Sequence, residues 1–324
     1  MFICLNYYSI LVYFKPNLYK INLCNKYCKE MSDYFRQTSV KTIFSSSHSW
    51  VILGEVEQRI KAKIEAVGTP LKEWDINIYR GILTGYNEAF IIDRKKKDEL
   101  IAKDPKSVEI IRPLLRGRDI KRYSFDFADL YILTTFPSLN VDIDSFPAVK
   151  EHLLSFGYDR LKQTGDQGAR KKTNNKWFET QDSISYWEDF SIQKIMYPNM
   201  TKFLPFYLDD KGFMQNDKSF MITGTHLSYL TAFLNSSLFK YCFIDNFPEL
   251  QGGTREIRKI FLDKIPVLKV DDQLNYQFEK LVSQIQSSKR VGNRELELNI
   301  DQMIFDLYDL SVDERNEIGF IEIQ

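Results

Sequence analysis

The chain has 324 residues, of which 44% are hydrophobic and 27% charged, a composition typical of a folded globular protein that excludes global disorder. Basic and acidic residues both number 44, so the net charge indicates no partner. The charges are unevenly distributed: residues 94–122 carry eleven basic and five acidic side chains, residues 160–176 six and one, and residues 295–317 one and eight. A basic middle with an acidic end is expected when one face contacts a polyanion, although ordinary solvated helix faces explain the same pattern.

The N-terminal segment differs in character from the rest of the chain. Residues 1–14 are apolar over a length too short to span a bilayer, and they lack the basic start and the cleavage site of a signal peptide. We therefore expect residues 1–48 to be a variable, poorly ordered segment, with Met31 as an alternative first residue. Four cysteines lack the second pair or the nearby histidines of a zinc site, and we expect free thiols in a reducing cytosol: Cys4, Cys24, Cys28 and Cys242.

Taken in chain order, the secondary-structure patterns predict an α+β protein. Apolar residues at helical spacing over residues 55–67 predict a helix that ends at Gly68. The next predicted elements are strands at 74–83 and 88–93, a short helix over 107–117 interrupted at Pro113, strands at 128–136 and 192–198, a hairpin over 203–223 turning at 210–212, and a buried helix over 226–244.

Two amphipathic stripes follow, at residues 274–285 and 296–307. Stripes at this spacing are more often the core of a helical hairpin than a binding surface. The sequence therefore predicts a mixed, strand-rich domain over residues 49–268, followed by a C-terminal antiparallel helical hairpin and tail over residues 269–324.

The stretch "RGILTGYNEAFIID", residues 80–93, raises the possibility of a phosphate-binding loop, but it lacks the spacing and the lysine of a P-loop. The sequence also contains no G-x-G-x-x-G, no G-x-S-x-G, no E-x-K and no Pro-Pro pair, and its three histidines are isolated. We expect no catalysis by this chain alone and assign no catalytic, cofactor-binding or metal-binding residue.

Basic residues, amide residues and the polar residues in the middle of the 80–93 stretch remain as candidates for DNA contact. Arginine forks match phosphate oxygens or the guanine edge, lysines bind phosphates as point charges, and Asn or Gln can bind adenine. Internal ion pairing, for example with Asp119, and a merely solvated loop at 165–176 are the alternatives. The candidates are Thr84, Tyr86 and Asn87; Arg116, Arg118, Lys121 and Arg122; Gln167, Arg170, Lys171, Lys172, Asn174, Asn175 and Lys176; and Arg255 and Arg258.

Six sequence blocks occur in a familiar order: "RGILTGYNEAFIID", "DPKSVEIIRPLLRGRDIKRY", "GDQG", "DSISYWEDFSIQKIMYPNM", "YLTAFLNSSLF" and "GGTREIRKIFLDKIPV". From about Ile52 to the C-terminus they resemble the TaqI-like C-terminal specificity domain of type IIG restriction–modification enzymes and related adenine-specific DNA methyltransferases. The resemblance implies that residues 49–268 are a target recognition domain, which reads a short duplex sequence and helps to position an adenine for flipping. The tip formed by Thr84, Tyr86 and Asn87 is then expected to face the DNA.

In that family, methyl transfer from S-adenosylmethionine takes place in a separate domain with a glycine-containing cofactor motif and an (N/D)PP(Y/F) loop. Neither motif occurs in this sequence. The resemblance therefore implies a recognition module without its own catalytic domains, in a system that uses S-adenosylmethionine and, for cleavage, magnesium.

The expected partners are double-stranded DNA and a separately encoded methyltransferase or nuclease subunit, in a bacterial or archaeal cytoplasm and without a membrane. Two alternatives remain. One is a divergent stand-alone adenine methyltransferase. The other is an interaction remnant that docks a catalytic subunit through the acidic helical hairpin.

Overall fold

The computed structural model describes residues 54–202, 204–288 and 293–321, and before residue 54 only the course of four strands. The strands are β1 (Phe2–Leu5), β2 (Tyr8–Lys15), β3 (Leu18–Asn25), β4 (Ser39–Thr42), β5 (Gly68–Pro70), β6 (Ile76–Arg80), β7 (Ile91–Asp93), β8 (Ile111–Leu115), β9 (Ile120–Lys121), β10 (Ser124–Phe125), β11 (Leu130–Leu133), β12 (Lys194–Pro198), β13 (Met200–Thr201), β14 (Tyr207–Asp209), β15 (Met214–Gln215), β16 (Ser219–Gly224), β17 (Arg255–Glu256) and β18 (Pro266–Leu268). The α-helices are α1 (Glu55–Val67), α2 (Asn87–Phe90), α3 (Arg94–Lys103), α4 (Pro147–Leu154), α5 (Tyr158–Leu161), α6 (Leu227–Leu234), α7 (Ser237–Phe243), α8 (Lys259–Leu262), α9 (Asp272–Ser287), α10 (Asn293–Leu307) and α11 (Val312–Ile318). This mixture of helices and strands is the α+β fold that the sequence predicts.

The chain divides into two compact units. The smaller unit comprises residues 1–68 and 305–319, and the larger unit comprises residues 69–304 and 320–324. In the smaller unit, β1 to β4 form an antiparallel sheet in chain order. Helix α1 lies beside α11, where the Lys63 ammonium contacts the Glu314 carboxylate at 2.8 Å. The prediction that residues 1–48 are poorly ordered falls on a segment that lies, apart from the course of β1 to β4, outside the described residues.

Two four-stranded sheets form the framework of the larger unit. One has the order β15-β8-β11-β7, and the other has the order β14-β12-β16-β6. The second sheet is antiparallel throughout, with Ile222 opposite Ile78. In the first sheet β15 runs parallel to β8, and the other two pairs are antiparallel. The predicted strands at residues 128–136 and 192–198 are confirmed as β11 and β12.

The predicted helix over residues 107–117 is wrong. A 3₁₀ segment, Pro105–Ile110, leads into strand β8, which pairs with β11 along its length. On its other side β8 pairs with β15 only at Leu114 and Leu115, beyond Pro113. Proline is tolerated in a strand where no ladder hydrogen bond is required of it. Long-range pairing with β11 therefore overrides the local helical pattern.

The predicted hairpin over residues 203–223 is also wrong, although its turn exists. Gly212 has a φ of +72°, as a tight turn there requires. The strands that flank this turn belong to different sheets, because β14 pairs with β12 whereas β15 pairs with β8. Strand β16 then lies on the opposite side of β12 from β14. A turn signal thus predicts a reversal of the chain but not the strand with which each arm pairs.

Two further predicted elements are shorter than expected. The buried helix over residues 226–244 is two buried helices, α6 and α7, because Ser236 interrupts it and accepts a hydrogen bond from the Phe239 N–H at 3.0 Å, capping α7. The predicted strand at 88–93 begins with the helical turn α2 and becomes strand only in β7.

The C-terminal amphipathic helices are present as α9 and α10. The apolar stripe of α9 buries Phe278, whose ring lies 5.1 Å from the ring of Tyr229 in α6, and the Asn275 side chain accepts a hydrogen bond from the Tyr229 N–H. The stripe therefore packs on α6 of the larger unit. Among the described residues, none of the helices has both the length and the apolar character needed to cross a membrane.

Candidate nucleic-acid interface

The turn between β15 and β16, residues 215–218, joins segments that are distant in sequence. The Ile82 N–H donates to the Gln215 carbonyl at 2.8 Å, and the Asp217 N–H donates to the Ile82 carbonyl at 3.0 Å. On its other side, the Gly117 N–H donates to the Asn216 side chain at 3.3 Å. The start of the 80–93 stretch and the basic 111–122 segment therefore meet at one turn.

Glycine is required where these segments contact the turn. A Cβ atom at Gly81 would lie 2.0 Å from the Asn216 carbonyl oxygen, and one at Gly117 would lie 2.6 Å from the Lys218 carbonyl oxygen. Both distances are far below van der Waals contact, so the close approach of the backbones depends on the missing side chains.

Arg170 fastens the basic loop at residues 160–176 to the tip of the 80–93 stretch. It is 2% exposed, and its guanidinium lies 5.0 Å from the Phe90 ring. Burial and the nearby charge of Arg160 lower the pKa of Arg170 to about 10, which leaves it charged at neutral pH. Its guanidinium donates hydrogen bonds of 2.6 to 2.8 Å to the carbonyl oxygens of Thr84, Leu161, Trp177 and Glu179.

The predicted tip residues lie beside this loop with different exposures. Thr84 is buried, and its hydroxyl is bonded to the Asn87 side chain at 2.7 Å. Tyr86 is half-buried, and the Arg160 guanidinium lies 4.0 Å from its ring centroid. Asn87 is exposed. The structure thus brings the tip and the basic loop together, and the orientation of the tip toward DNA stays a prediction.

Most of the other loop candidates are exposed, namely Gln167, Lys171, Lys172, Asn174 and Lys176. Within the described part of the chain, Lys171 and Lys172 have no carboxylate at ion-pair distance, whereas the Lys176 ammonium lies 3.8 Å from Glu179. The amide nitrogen of Asn175 donates to the carbonyl oxygens of Thr180 and Gln181 at 3.1 and 3.0 Å. The free cations of the loop are therefore Lys171 and Lys172, held on a backbone that Arg170 anchors.

The basic 116–122 segment is largely committed to internal pairs. Arg116 forms two hydrogen bonds of 2.8 Å with Asp119, the partner that the sequence analysis named. Arg122 donates to Glu297 at 2.8 Å. Lys121 bonds the Arg118 carbonyl at 2.7 Å, and the exposed Arg118 side chain forms no ion pair with any residue that the structure describes. Arg118 is thus the free guanidinium of this segment.

The remaining candidates lie on and after β17. Arg255 is held by Asp245 and Glu249 at 2.9 and 3.1 Å, and Arg258 contacts Glu256 at 2.8 Å while its side chain stays 55% exposed. The segment joins the same turn indirectly: the Ile257 N–H donates to the Asn199 carbonyl, and the Asn199 N–H donates to the Lys218 carbonyl. The internal-pairing alternative therefore applies most clearly to Arg116, Arg122 and Arg255.

A pocket of 420 Å³ lies beside the tip and the loop, and sequence reasoning missed most of it. Two of its residues follow the tip backbone: the Gln181 N–H donates to the Thr84 carbonyl and the Asp182 N–H to the Leu83 carbonyl, both at 3.2 Å. Asp182 is the first residue of the sequence block "DSISYWEDFSIQKIMYPNM", which belongs to the family resemblance. An isolated Gln-Asp pair, however, has no sequence pattern that indicates a role. Residues that line the pocket include Asn175, Gln181, Asp182, Ser183, Ile184 and Tyr186.

The electrostatics of the pocket are set by Asp182. Partial burial raises the pKa of its carboxyl, while the charges of Arg80 and Lys171 and a hydrogen bond from the Leu83 N–H oppose the rise. Across residues 54–202, 204–288 and 293–321, no group of three or more His, Cys, Asp or Glu side chains is arranged to hold a metal ion.

Comparison with known proteins agrees with the sequence blocks. The profile of the TaqI-like C-terminal specificity domain matches residues 112–267. No curated protein matches the chain. Among solved structures, the type IIL restriction-modification enzyme MmeI, in complex with DNA, aligns with a TM-score of 0.50 and 10% identity over 76% of this chain. The type IIG restriction endonuclease BpuSI aligns with a TM-score of 0.49 and 16% identity over 82% of this chain.

The chain spans 34% of the length of each of these two structures. At such low identity, the similarity to MmeI concerns the fold alone. The family match concerns the segment that contains the turn, the anchored loop and the pocket. Residues 112–267 of the chain are therefore similar to the TaqI-like C-terminal specificity domain.

Proposed function

We propose that this chain is the DNA sequence-recognition module of an adenine-specific restriction–modification system. One observation carries the proposal: inside the segment that matches the specificity domain, the buried Arg170 anchors a loop with two exposed lysines, Lys171 and Lys172, that form no ion pair with any described residue. A surface that offers positive charge on a fixed backbone suits a phosphate backbone, because little conformational freedom is lost when the DNA binds.

The exposed groups divide into two roles. Lys171, Lys172 and Arg118 contact phosphates and supply affinity that falls with salt, because each neutralised phosphate releases counterions. The amides of Gln167 and Asn174 are exposed on the same loop and are free to contact base edges in a groove. Arg170, Arg116 and Arg122 hold the fold and do not contact DNA directly.

Among the described residues, the glycines of the basic loop do not form a site for S-adenosylmethionine. The loop glycines Gly165 and Gly168 do not open a helix, and the Gly165 N–H is bonded to the Arg170 carbonyl instead of being free for a phosphate or carboxylate. Together with the missing Pro-Pro loop, this arrangement favours a division in which methyl transfer and magnesium-dependent cleavage belong to another domain or to a separately encoded subunit. Adenine is the modified base in this proposal.

Two acidic residues of the C-terminal helices are not available for the docking alternative. The Glu297 carboxylate is paired with Arg122, and Asp301 accepts hydrogen bonds from the N–H and the hydroxyl of Ser237. These carboxylates are engaged inside the larger unit. They are therefore poor candidates for recruiting a basic partner.

Electrophoretic mobility shifts with a library of randomised duplexes, at several salt concentrations, test the proposal. We expect a salt-dependent shift and, after selection and sequencing, enrichment of a short motif. Binding without salt dependence or sequence preference contradicts it. Calorimetric titration with S-adenosylmethionine separates the stand-alone methyltransferase, which gives heat, from the recognition module, which gives none.

A further inference from the structure

The 420 Å³ pocket beside the tip holds polar groups that its own chain does not satisfy. The amide nitrogen of Asn175 is used by two backbone carbonyls. The Gln181 side-chain amide has no hydrogen-bond partner among the described residues. The Asp182 carboxylate accepts from the Leu83 N–H and has no cation at ion-pair distance within the described ranges. The Asp182 carboxylate and the Gln181 amide thus line the pocket and can each form further hydrogen bonds.

The cations that act on Asp182 stand apart from it. Arg80 and Lys171 lower its pKa through their charge, yet neither pairs with it: Arg80 contacts Asp217 at 3.3 Å and is 48% exposed, and Lys171 is exposed. Asp182 therefore differs from a carboxylate in a surface ion pair, because no cation contacts its oxygens. The distant cations can attract the phosphates of a DNA backbone, while the carboxylate can accept a hydrogen bond from a donor on the DNA.

The pocket wall is held in a strained conformation. Ile184 has a φ of +50°, which is unusual for a β-branched residue, and its side chain is buried. The Ser138 hydroxyl donates to the Ile184 carbonyl at 2.9 Å, and the Ser138 N–H donates to the Ser183 carbonyl at 3.3 Å. Strain of this kind persists where the surroundings enforce it and clusters at binding sites.

We propose that Asp182, with Gln181 beside it, is a specificity-determining residue that accepts a hydrogen bond from the exocyclic amino group of a base in the duplex major groove. The bases that present such a donor are adenine, at N6, and cytosine, at N4. Guanine presents only acceptors on that edge, so the carboxylate repels it. This inference rests on the proposed function and names one of its base contacts.

The experiment selects bound duplexes from a randomised library with the wild-type chain, Asp182→Ala and the matched control Asp144→Ala. Asp144 is exposed, pairs with Lys150 and does not line the pocket. Alanine removes the carboxylate and offers neither a donor nor an acceptor. We expect Asp182→Ala to lose about tenfold of its preference for adenine or cytosine at one position of the motif, with the other positions unchanged. The control is expected to keep the wild-type motif.

Several outcomes bear on the inference separately from the proposed function. If the wild type selects a motif and Asp182→Ala selects the same motif with the same strength, the inference is overturned and DNA recognition stands. If the wild type selects no motif, the proposed function itself fails. Should Asp182→Ala fail to fold, as shown by circular dichroism, Gln181→Met removes the adjacent amide at similar volume. A loss of base preference at one position in Gln181→Met supports the inference, and an unchanged motif overturns it.

Discussion

The guanidinium of Arg170 donates a hydrogen bond of 2.8 Å to the carbonyl oxygen of Thr84, a residue 86 positions earlier in the chain. In sequence, Arg170 is one of several basic residues in a polar loop. In the structure it is buried and binds four backbone carbonyls, so it determines where the neighbouring lysines stand. The next two residues, Lys171 and Lys172, are exposed, so neighbouring cations in the chain occupy opposite environments.

Replacing Arg170 with methionine is expected to destabilise the fold. Four backbone carbonyl oxygens would lose the guanidinium as a donor, and those of Leu161 and Trp177 have no other donor among the described residues, so the free energy of unfolding should fall by about 3 kcal/mol. Urea denaturation followed by circular dichroism measures the change. Lys171→Met is the matched control, because its side chain is exposed, and should change stability by less than about 0.5 kcal/mol. Equal stability of Arg170→Met and the wild type would contradict the anchoring role.

Removing the two free lysines is expected to weaken binding to every duplex alike. In Lys171→Gln/Lys172→Gln, the slope of log K against log salt should become shallower by about 0.9 for each phosphate contact that is lost. Fluorescence anisotropy with one unrelated duplex, measured over a range of salt concentrations, gives the slope. Lys211→Gln is the control, since this exposed lysine pairs with Asp210 on another turn. A slope identical to wild type in the double variant would place the phosphate contacts elsewhere.

Adding a methyl group at Gly81 is expected to disrupt the junction with the 215–218 turn. The new Cβ would overlap the Asn216 carbonyl oxygen, so the strands must separate, at a cost of about 3 kcal/mol. Chemical denaturation measures this cost. Gly168→Ala separates steric overlap from backbone strain: Gly168 has a φ of +83° but no neighbouring atom within 4 Å, and alanine there should cost about 1 kcal/mol. Equal costs at the two positions would argue against the overlap.

His152 is expected to make stability depend on pH. Burial lowers the pKa of its imidazole, whose ring nitrogen Nε2 lies 3.0 Å from the Ala89 carbonyl oxygen. Because the unfolded chain binds the proton more readily, this contribution is complete above the ordinary histidine pKa of about 6.5 and is lost as the pH falls toward the lowered pKa.

Thermal melts of the wild type at pH 7.5 and 5.5 should therefore show a loss of stability at the lower pH, and His152→Gln should reduce that loss. If His152→Gln retained the full loss, other groups would be responsible for it.

Several elements were predictable because their signals are local. The apolar spacing of residues 55–67 predicted α1, and the ordered sequence blocks indicated the specificity domain. The hairpin at 203–223 and the helix at 107–117 could not be predicted correctly, because a turn or an apolar run does not specify its strand partner. Strand β8 pairs with β11 and β15, the latter about 100 residues away in the chain. Such pairing energies are invisible to a local pattern.

In the candidate site, too, the local features were predictable from the sequence and the long-range contacts were not. The sequence by itself determined that basic residues are concentrated in the 116–122 and 160–176 segments, the latter also rich in amides, because composition and spacing are local properties. The tertiary structure decided which of them are free: Arg116, Arg122 and Arg170 are held by carboxylates or carbonyls, whereas Arg118, Lys171 and Lys172 are exposed. It also assembled a pocket around Gln181 and Asp182 next to the tip. The physical reason is that a charge interacts with whatever lies a few ångströms away, and only folding sets those distances.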